Sequence, residues 1–597
     1  MSEVSSPGGM VAPVADGRLS VQGRTWLMRR PDETAALAIS QHFGLSEIAG
    51  LLLAARGVAH EDVQAFIDPK LRHFLPDPSH LKDMDKSAAR LADAILEGEE
   101  IGIIGDYDVD GATSSALMAR YLRHFAKMAK IIIPDRLGEG YGASSESFAR
   151  LAGDGCQLVL TLDNGTTAFA PLADAAEAGQ DVIVVDHHLA EERLPPAFGV
   201  INPNRGDQVS PLGHLAAVGV TFVLLVAVNR ELRRRRPDMA LPDPMQWLDL
   251  VALGTICDVV PLLGLNRAFV RQGLKILERD PLPGIRALAA TARIEKLSEA
   301  WHLGFALGPR INACSRMGGG DLGLQLLLCE DAAEAESIAL QLDGMNQERQ
   351  SVERAILAAA QEATAPQVAA GRRVLLVAGQ GWHAGVIGIV ASRLVELHAR
   401  PVFVVAVDSE GLGKGSARSV PGFDVGAAVI AARQQGLLLK GGGHAMAAGL
   451  TVMADQLPAL ADFFESEATA LAAAGGLVRP PLEIDAAIST AGVTGELALD
   501  LERLAPYGPG HPEPRFTLTD ARIVERREVG TGHMACTLVG TVRGRVKAIA
   551  FRCKETPLGE ILARADGPLR LAGRIRADRW NGQLRAQFEI EDAMPTA

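Results

Sequence analysis

The stretch IGIIGDYDVDGATS, residues 101–114, joins an apolar run to a dense acidic cluster. Its first five residues form an apolar run of strand length, and Asp106, Asp108 and Asp110 follow at once, with Gly111 behind them. Two more apolar runs end in the same way. Residues 158–162 (LVLTL) lead into Asp163-Asn164-Gly165, and residues 182–185 (VIVV) lead into Asp186-His187-His188. A fourth cluster, Cys257-Asp258-Val259-Val260, lies inside the apolar segment LVALGTICDVVPL, residues 250–262. In an open parallel sheet the carboxyl ends of the strands converge on one crevice, where ligands bind. That convergence would gather at least five carboxylates and two imidazoles. So many hard oxygen donors, with nitrogen beside them, point to a pair of divalent cations, Mn2+ or Mg2+.

Outward from residues 101–114, apolar runs alternate with helical stretches as far as about residue 202. IGIIG, AKIIIPD, LVLTLD, VIVVD and FGVIN are the expected strands, with helices starting at Thr113, at Ser144 or Ser145, at Thr166 and at Leu189. This alternation predicts a parallel sheet with right-handed crossovers. A mostly helical region follows, roughly 214–365, ending in a long polar run that suits a spacer between two lobes. A second α/β unit covers about 373–470, with RVLLVAG, PVFVVAVD and AGLTVM as strands and GVIGIVASRLVELH as its clearest helix. Residues 475–481 (GGLVRPP) read as a linker. Short β-like pieces with glycines between them come next, a rhythm that suggests a small barrel of the OB type. Short helices are expected in residues 24–85, after a flexible N-terminal tail.

Composition narrows the class. The chain has 597 residues, too many for one core. It is 48% hydrophobic and 22% charged, as globular proteins are. No run of about twenty apolar residues occurs, so no membrane span is expected. The first eighteen residues lack a basic flank and an apolar core, which argues against a secretory signal. Six cysteines without CxxC spacing argue against zinc ribbons and a disulfide framework and suit the cytoplasm. The net charge of -13 is uneven: from Arg515 onward there are 15 Lys and Arg against 10 Asp and Glu. The local sign is the better guide to partners. The run Arg233 to Arg236 before Pro237 reads as a solvated helix end rather than a DNA patch.

Three carboxylates at i, i+2 and i+4 of an extended chain share one face, and they repel unless a cation neutralises them. Taken alone, Asp106 to Gly111 could equally be a solvated acidic loop, and Asp163 a plain turn. Two adjacent imidazoles after Asp186 are harder to dismiss, because one can hold a metal while the other meets phosphate or moves a proton. Asp258 inside an apolar segment is costly unless paired or metal-bound. Two cations about 4 Å apart clamp the attacking and leaving oxygens of a displacement at phosphorus. The reaction class is metal-dependent phosphoester or phosphoanhydride hydrolysis. No P-loop signature occurs.

GDYDVDGATS, TLDNGTT, VVDHH and GTICDVVPL resemble motifs one to four of the DHH phosphoesterase superfamily. GPRINACSRMG, GWHAGVIGIVASRL, GKGSARS and GGGHAMAAG are similar to parts specific to its RecJ branch of single-strand exonucleases. The resemblance covers about residue 80 to the C-terminus. It implies an α/β fold: a parallel-sheet DHH domain at 81–330 and a connecting helix at 331–365. A second α/β domain, DHHA1, takes 366–474 and a C-terminal OB-fold 480–597, after an N-terminal segment at 1–80.

By the same resemblance Asp106, Asp108, Asp110, Asp163, His187 and Asp258 are metal ligands, with Asp163 as the bridge and Asp106 as a ligand or close neighbour. His188 would touch the scissile phosphate and Asp186 would orient a histidine. Arg310, Arg316, Ser416, Arg418 and the Gly441-Gly442-Gly443-His444 turn would bind substrate phosphate, as a glycine-rich turn and an arginine fork can. Trp382 and His383 read equally as substrate contacts or as core.

The activity so implied is 5′→3′ degradation of single-stranded DNA to mononucleotides in repair and recombination. A single-strand-binding protein and a RecQ-type helicase are the implied partners, with no membrane. The barrel should favour backbone contacts, since Phe516, Phe551, Trp580 and Phe588 are the only aromatics from Arg515 onward. A compact relative that hydrolyses oligoribonucleotides, pAp or cyclic dinucleotides would lack the extra domains. A catalytically dead DNA-binding scaffold would have lost metal ligands, and this chain keeps all of them.

Overall fold

The computed structural model describes residues 11–14, 17–136, 142–473, 480–542, 544–580 and 583–596. The chain divides into two compact units. One comprises Leu75–Val260 and Gln272–Val478; the other comprises Met1–Phe74, Pro261–Arg271 and Arg479–Ala597.

In the first unit, five parallel strands form a sheet. They are β1 (Ile101–Gly105), β2 (Lys130–Ile132), β3 (Leu158–Leu162), β4 (Asp181–Val185) and β5 (Gly199–Ile201), in the order β2-β1-β3-β4-β5. β1 and β3 are buried along their whole length, which is why they read as unbroken apolar runs. All five expected strands are present. Register aligns Gly105 with Leu162 and Leu162 with Val185, so Asp106, Asp163 and Asp186 leave adjacent strands at the same level.

One helix start differs from expectation because a polar side chain caps the backbone. The helix after β1, α1 (Val109–Arg123), begins four residues before Thr113 because the Asp108 carboxylate accepts from the Asp110 and Gly111 N–H groups. The extended face expected for Asp106, Asp108 and Asp110 is therefore replaced by a strand end, a cap and a first helical turn. Helices at Ser145–Gly153 and Phe169–Glu177 cover the sheet, the second starting three residues after Thr166. No helix begins at Leu189; Pro195 and Pro196, which cannot supply helical N–H groups, stand in that segment.

Helices α2 (Ala217–Arg235) and α3 (Leu248–Cys257) pack on α1, and the 38-residue helix α4 (Ala332–Ala369), capped by Asp331, leads to the second sheet. Half of the arginine run is engaged in ion pairs, Arg234 and Arg235 with Glu231 and Arg235 also with Asp93. The second sheet consists of β6 (Leu375–Gln380), β7 (Val402–Val407), β8 (Leu412–Arg418), β9 (Lys440–His444) and β10 (Ala447–Met453), ordered β9-β10-β8-β7-β6. Only β6 and β7 run parallel. β8 and β9 were not expected as strands, because GKGSARS and KGGGH have too little apolar surface to signal one. The expected glycine turn at 441–444 is instead the edge strand of a hairpin, and a Cβ on Gly443 would lie 2.4 Å from the Ala447 carbonyl oxygen.

In the second unit, strands Phe516–Val529, His533–Val539, Arg545–Ala550, Leu569–Trp580 and Gln583–Pro595 form a barrel, closed where the first pairs with the fourth. All five match the expected strand pieces. Their core, with Phe516, Leu538, Leu571 and Phe588, also contains Ile39, Leu52, Leu53 and Val63 from the N-terminal helices. The described part of the expected flexible tail is a strand, Val11–Pro13, paired with Trp26–Arg29. Most of the expected linker, residues 475–479, and the Trp580 side chain lie outside the described residues. Among the described residues no helix is long and apolar enough to cross a membrane, and all six cysteines are free.

Gly111 lets α1 fold back on the end of β1, for a Cβ there would lie 2.5 Å from the Asp106 carbonyl oxygen. Gly111→Ala should cost about 1–3 kcal/mol of stability through overpacking. The urea midpoint of the purified protein measures it, and an unchanged midpoint would contradict so tight a contact.

Candidate metal centre and anion site

The strand ends bring the acidic clusters together. His187 Nε2 stands 3.3 Å from Asp163 Oδ1, 3.6 Å from Asp258 Oδ2 and 4.0 Å from Asp110 Oδ2. Asp163 adopts φ +66, a left-handed turn that carries the chain off β3 while its N–H donates to the Val185 carbonyl. Asp258 arrives from a helix rather than a strand: it caps the C-terminus of α3, and Val259 after it has φ +61. Asp110 is held by the amino end of α2, its two oxygens accepting from the N–H groups of Ala217 (2.6 Å) and Val218 (3.0 Å). Gly254 leaves room for this approach, as a Cβ would sit 3.0 Å from Asp110 Oδ1.

Three overlapping sets of donors lie close enough to share a cation: Asp106, Asp108 and Asp163; Asp110, His187 and Asp258; and Asp163, His187 and His188. Asp163 belongs to two of them. Asp186 belongs to none. Its Oδ1 instead takes the His188 Nδ1 at 2.7 Å, and its Oδ2 takes the Thr166 N–H at 3.0 Å.

The electrostatics fit a cation. Asp106 Oδ1, Asp258 Oδ2 and His187 Nε2 are buried without a hydrogen-bond partner, a costly state for donor atoms unless something binds them. Burial, and next the charge of Asp108, pushes the Asp106 carboxyl up to about 8 and that of Asp110 up to about 7. Burial followed by Asp110 and Asp108 pushes Asp258 up to about 9, and the same causes raise Asp163 well above the carboxylate range. Burial, then the neighbouring His188, pushes His187 down to about 4, so its imidazole is neutral, with a hydrogen bond to the Leu215 backbone. That is the form a metal takes. Burial works against the charges of His188 and Asp186, yet their mutual hydrogen bond raises the histidine and lowers the acid.

A cationic patch lies beside this crevice. The Arg136 guanidinium sits 4.8 Å over the Tyr107 ring, and its charge acts on Asp106, Arg316 and Arg418. Burial first, and Arg136 next, lowers Arg316 to about 10. Arg316 donates to the Gly385 carbonyl, and Arg418 donates to Ser416 Oγ at 3.1 Å. The helix Ile387–His398 starts against that pair: a Cβ on Gly388 would lie 2.9 Å from Ser416 Oγ, and no side chain caps the helix amides. Uncapped amides beside arginines make an anion site.

Gly442 and His444 lie on the hairpin edge, with open space beside Gly442. Arg310 is drawn elsewhere, donating to Asp343 Oδ1 at 2.9 Å and to the Ala306 carbonyl. Trp382 packs against Gly379 and the core. Arg136 escaped the sequence reading, although it follows β2 at the same sheet edge and the strand-end rule could have found it.

Residues 100–255 match the N-terminal domain of the DHH family, 371–470 the DHHA1 domain and 484–592 the RecJ OB domain. The chain is 35% identical over 591 residues to the single-stranded-DNA-specific exonuclease RecJ of Dickeya dadantii, spanning 96% of this chain and 99% of that one. It is 36% identical to the Escherichia coli exonuclease of that name over 521 residues, 85% of this chain and 88% of the other. Among solved structures it is similar to RecJ from Thermus thermophilus in complex with Mn2+. The TM-score is 0.80 at 31% identity, over 96% of this chain and 80% of that one.

A carboxyl raised in the fold stabilises at low pH and loses that contribution as pH climbs through its folded value. The acidic cluster should therefore weaken the metal-free protein from about pH 4 towards 9. A cation must displace those protons, so affinity should rise with pH. The Mn2+ dissociation constant should fall roughly tenfold or more from pH 6.5 to 8.0, with a larger Mn2+-induced rise in Tm at the higher pH. Affinity flat across that range, measured by electron paramagnetic resonance of free Mn2+, would contradict the protonated cluster.

Proposed function

This chain belongs to the RecJ family, and on that premise we propose that it is a single-stranded-DNA-specific 5′→3′ exonuclease. It would release 5′-mononucleotides by two-metal hydrolysis, in DNA repair and recombination. One observation carries the reading: the carboxylates and imidazoles form donor sets that overlap at Asp163, and the Arg136 guanidinium sits over the ring of Tyr107, between Asp106 and Asp108. Cation-binding and phosphate-binding chemistry thus stand side by side within one unit.

In this reading Asp106, Asp108, Asp110, Asp163, His187 and Asp258 would hold two Mn2+ or Mg2+ ions, Asp163 belonging to two of the donor sets. When bound, such a pair lowers the pKa of a water and neutralises charge building on the phosphate. Asp110 keeps its geometry through the amino end of α2. Asp186 accepts from His188 Nδ1 and raises that imidazole, so that in its protonated form the ring carries a hydrogen on Nε2, which would contact the scissile phosphate or pass to the departing oxygen. Arg136, Arg316, Ser416 and Arg418, with the Ile387–His398 amides, grip a phosphate of the strand, and Gly442, Gly443 and His444 line its path. Arg310 serves by holding Asp343.

The domain limits are 81–330 for the catalytic domain, 331–365 for the connecting helix, 366–474 for the phosphate-binding domain and 480–597 for the barrel. The barrel binds single strands mainly through their backbone, because Phe516 and Phe588 are buried in its core. Of the N-terminal segment 1–80, the part up to Phe74 belongs to the barrel's unit. The protein works in the cytoplasm, where a helicase of RecQ type and a single-strand-binding protein present the strand.

The test uses 5′-labelled and 3′-labelled single strands, with duplex counterparts, in Mn2+ and Mg2+. The 5′ label should leave first as mononucleotide, from single strands only; release from the 3′ label first would reverse the polarity. Asp163→Ala should lower turnover about 10³-fold or more while single-strand binding persists. Preserved turnover would remove Asp163 from the metal set. Arg136→Ala and Arg418→Ala should each raise KM about 10–100-fold, the value of a charge-assisted hydrogen bond. An unchanged KM would exclude them from phosphate capture.

A further inference from the structure

We infer that Asn202 and Asn204 are positioning residues that hold the two histidines by their backbone carbonyls, Asn204 setting His187 and Asn202 setting His188. The inference rests on the hydrolytic reading above. Both asparagines leave the end of β5, the neighbour of the strand that ends at Asp186. Asn202 is fully buried. Its Nδ2 donates to the His188 carbonyl at 2.8 Å and to Thr166 Oγ1 at 2.9 Å, while its Oδ1 accepts the Asn204 N–H at 2.8 Å.

Thr166 in turn donates its N–H to Asp186 Oδ2, and Asp186 Oδ1 engages His188 Nδ1. Asp186, His188, Asn202 and Thr166 therefore close a ring of hydrogen bonds around one imidazole. Asn204 Nδ2 donates to the His187 carbonyl at 2.5 Å and to the Gly213 carbonyl at 3.1 Å. Gly213 has to be glycine for this, since a Cβ would fall 2.7 Å from Asn204 Oδ1. Pro203 between the asparagines fixes its own φ and carries no N–H, which helps keep the two amides in place.

A hydrogen bond to a carbonyl restrains ψ of the residue that carries it, so releasing the carbonyl frees the ring of that residue to turn. The two releases have different consequences. His187 Nε2 lies among Asp163, Asp258 and Asp110, and turning it takes a nitrogen away from the cation. His188 is spoken for by Asp186, and turning it moves the proton donor without removing a ligand from the set proposed above. The asparagines should thus separate cation affinity from turnover.

The test measures Mn2+ affinity by electron paramagnetic resonance, kcat at saturating Mn2+ on a 5′-labelled single strand, and the thermal midpoint, in the full-length protein. Asn204→Ala should weaken Mn2+ binding about 10–100-fold, as loss of an outer contact to a liganding histidine does, with kcat at saturating Mn2+ retained. Asn202→Ala should lower kcat about 10–100-fold with Mn2+ affinity retained. Should Asn202→Ala fold poorly, Asn202→Ser keeps a hydroxyl donor for one of the two acceptors and should lose less, in kcat alone.

Variants that match the wild type in both measures would overturn the inference. So would variants in which affinity, kcat and thermal midpoint fall together, because that marks a scaffold role. A wild-type protein that binds Mn2+ but frees no nucleotide would sink the hydrolytic reading, while the affinity of Asn204→Ala would still decide its own case.

Discussion

Carboxylates a few ångströms apart in a crevice closed to water repel one another. At 4 Å and an effective dielectric of 20 a single pair costs about 4 kcal/mol. Asp106, Asp110 and Asp163 are all but fully buried, so most of the surrounding architecture answers that repulsion. The amides of Ala217 and Val218 meet Asp110, the Thr166 N–H and His188 meet Asp186, and Arg136 brings a positive field to Asp106. What these contacts leave uncompensated is a set of buried donor atoms, and a divalent cation is the compact charge that suits them.

The parallel sheet was legible because its strands are buried on both faces and end in charge, a contrast visible in one dimension. Asp163, Asp186, His187 and His188 followed directly from it. Asp108 and Asp110 were found for a reason that does not hold in space: period-two alternation assumes a strand, whereas Asp108 caps a helix and Asp110 sits on its first turn. Asp258 announced itself as a charge in an apolar segment, yet nothing local says that a helix end, rather than a strand end, delivers it.

Charge pairing is where sequence reasoning runs out, because partners are set by tertiary packing. Arg310 and Arg316 lie on one short helix, but Asp343 claims the first while the second donates to the Gly385 carbonyl. The basic excess of the barrel is similarly reduced by ion pairs of Arg515, Arg574 and Arg576 with Glu513, Glu589 and Glu591. A tally of Lys and Arg therefore overstates the charge presented to a polyanion. The glycine strand Lys440–His444 was hidden for the opposite reason: backbone ladder bonds alone build it, and those leave no mark in side-chain hydropathy.

The core shared by the N-terminal helices and the barrel joins sequence positions as distant as Leu52 and Phe588. A ribosome delivers those two halves at opposite ends of synthesis, with the whole metal-bearing unit between them. Ile39, Leu52, Leu53 and Val63 emerge long before the barrel exists to cover them, while residues 75–260 and 272–478 can collapse on their own contacts as they appear. Contacts of such long range close late. A chain cut short before residue 516 would be left with sticky, half-built helices attached to a formed catalytic unit, a species for chaperones and proteases to sort.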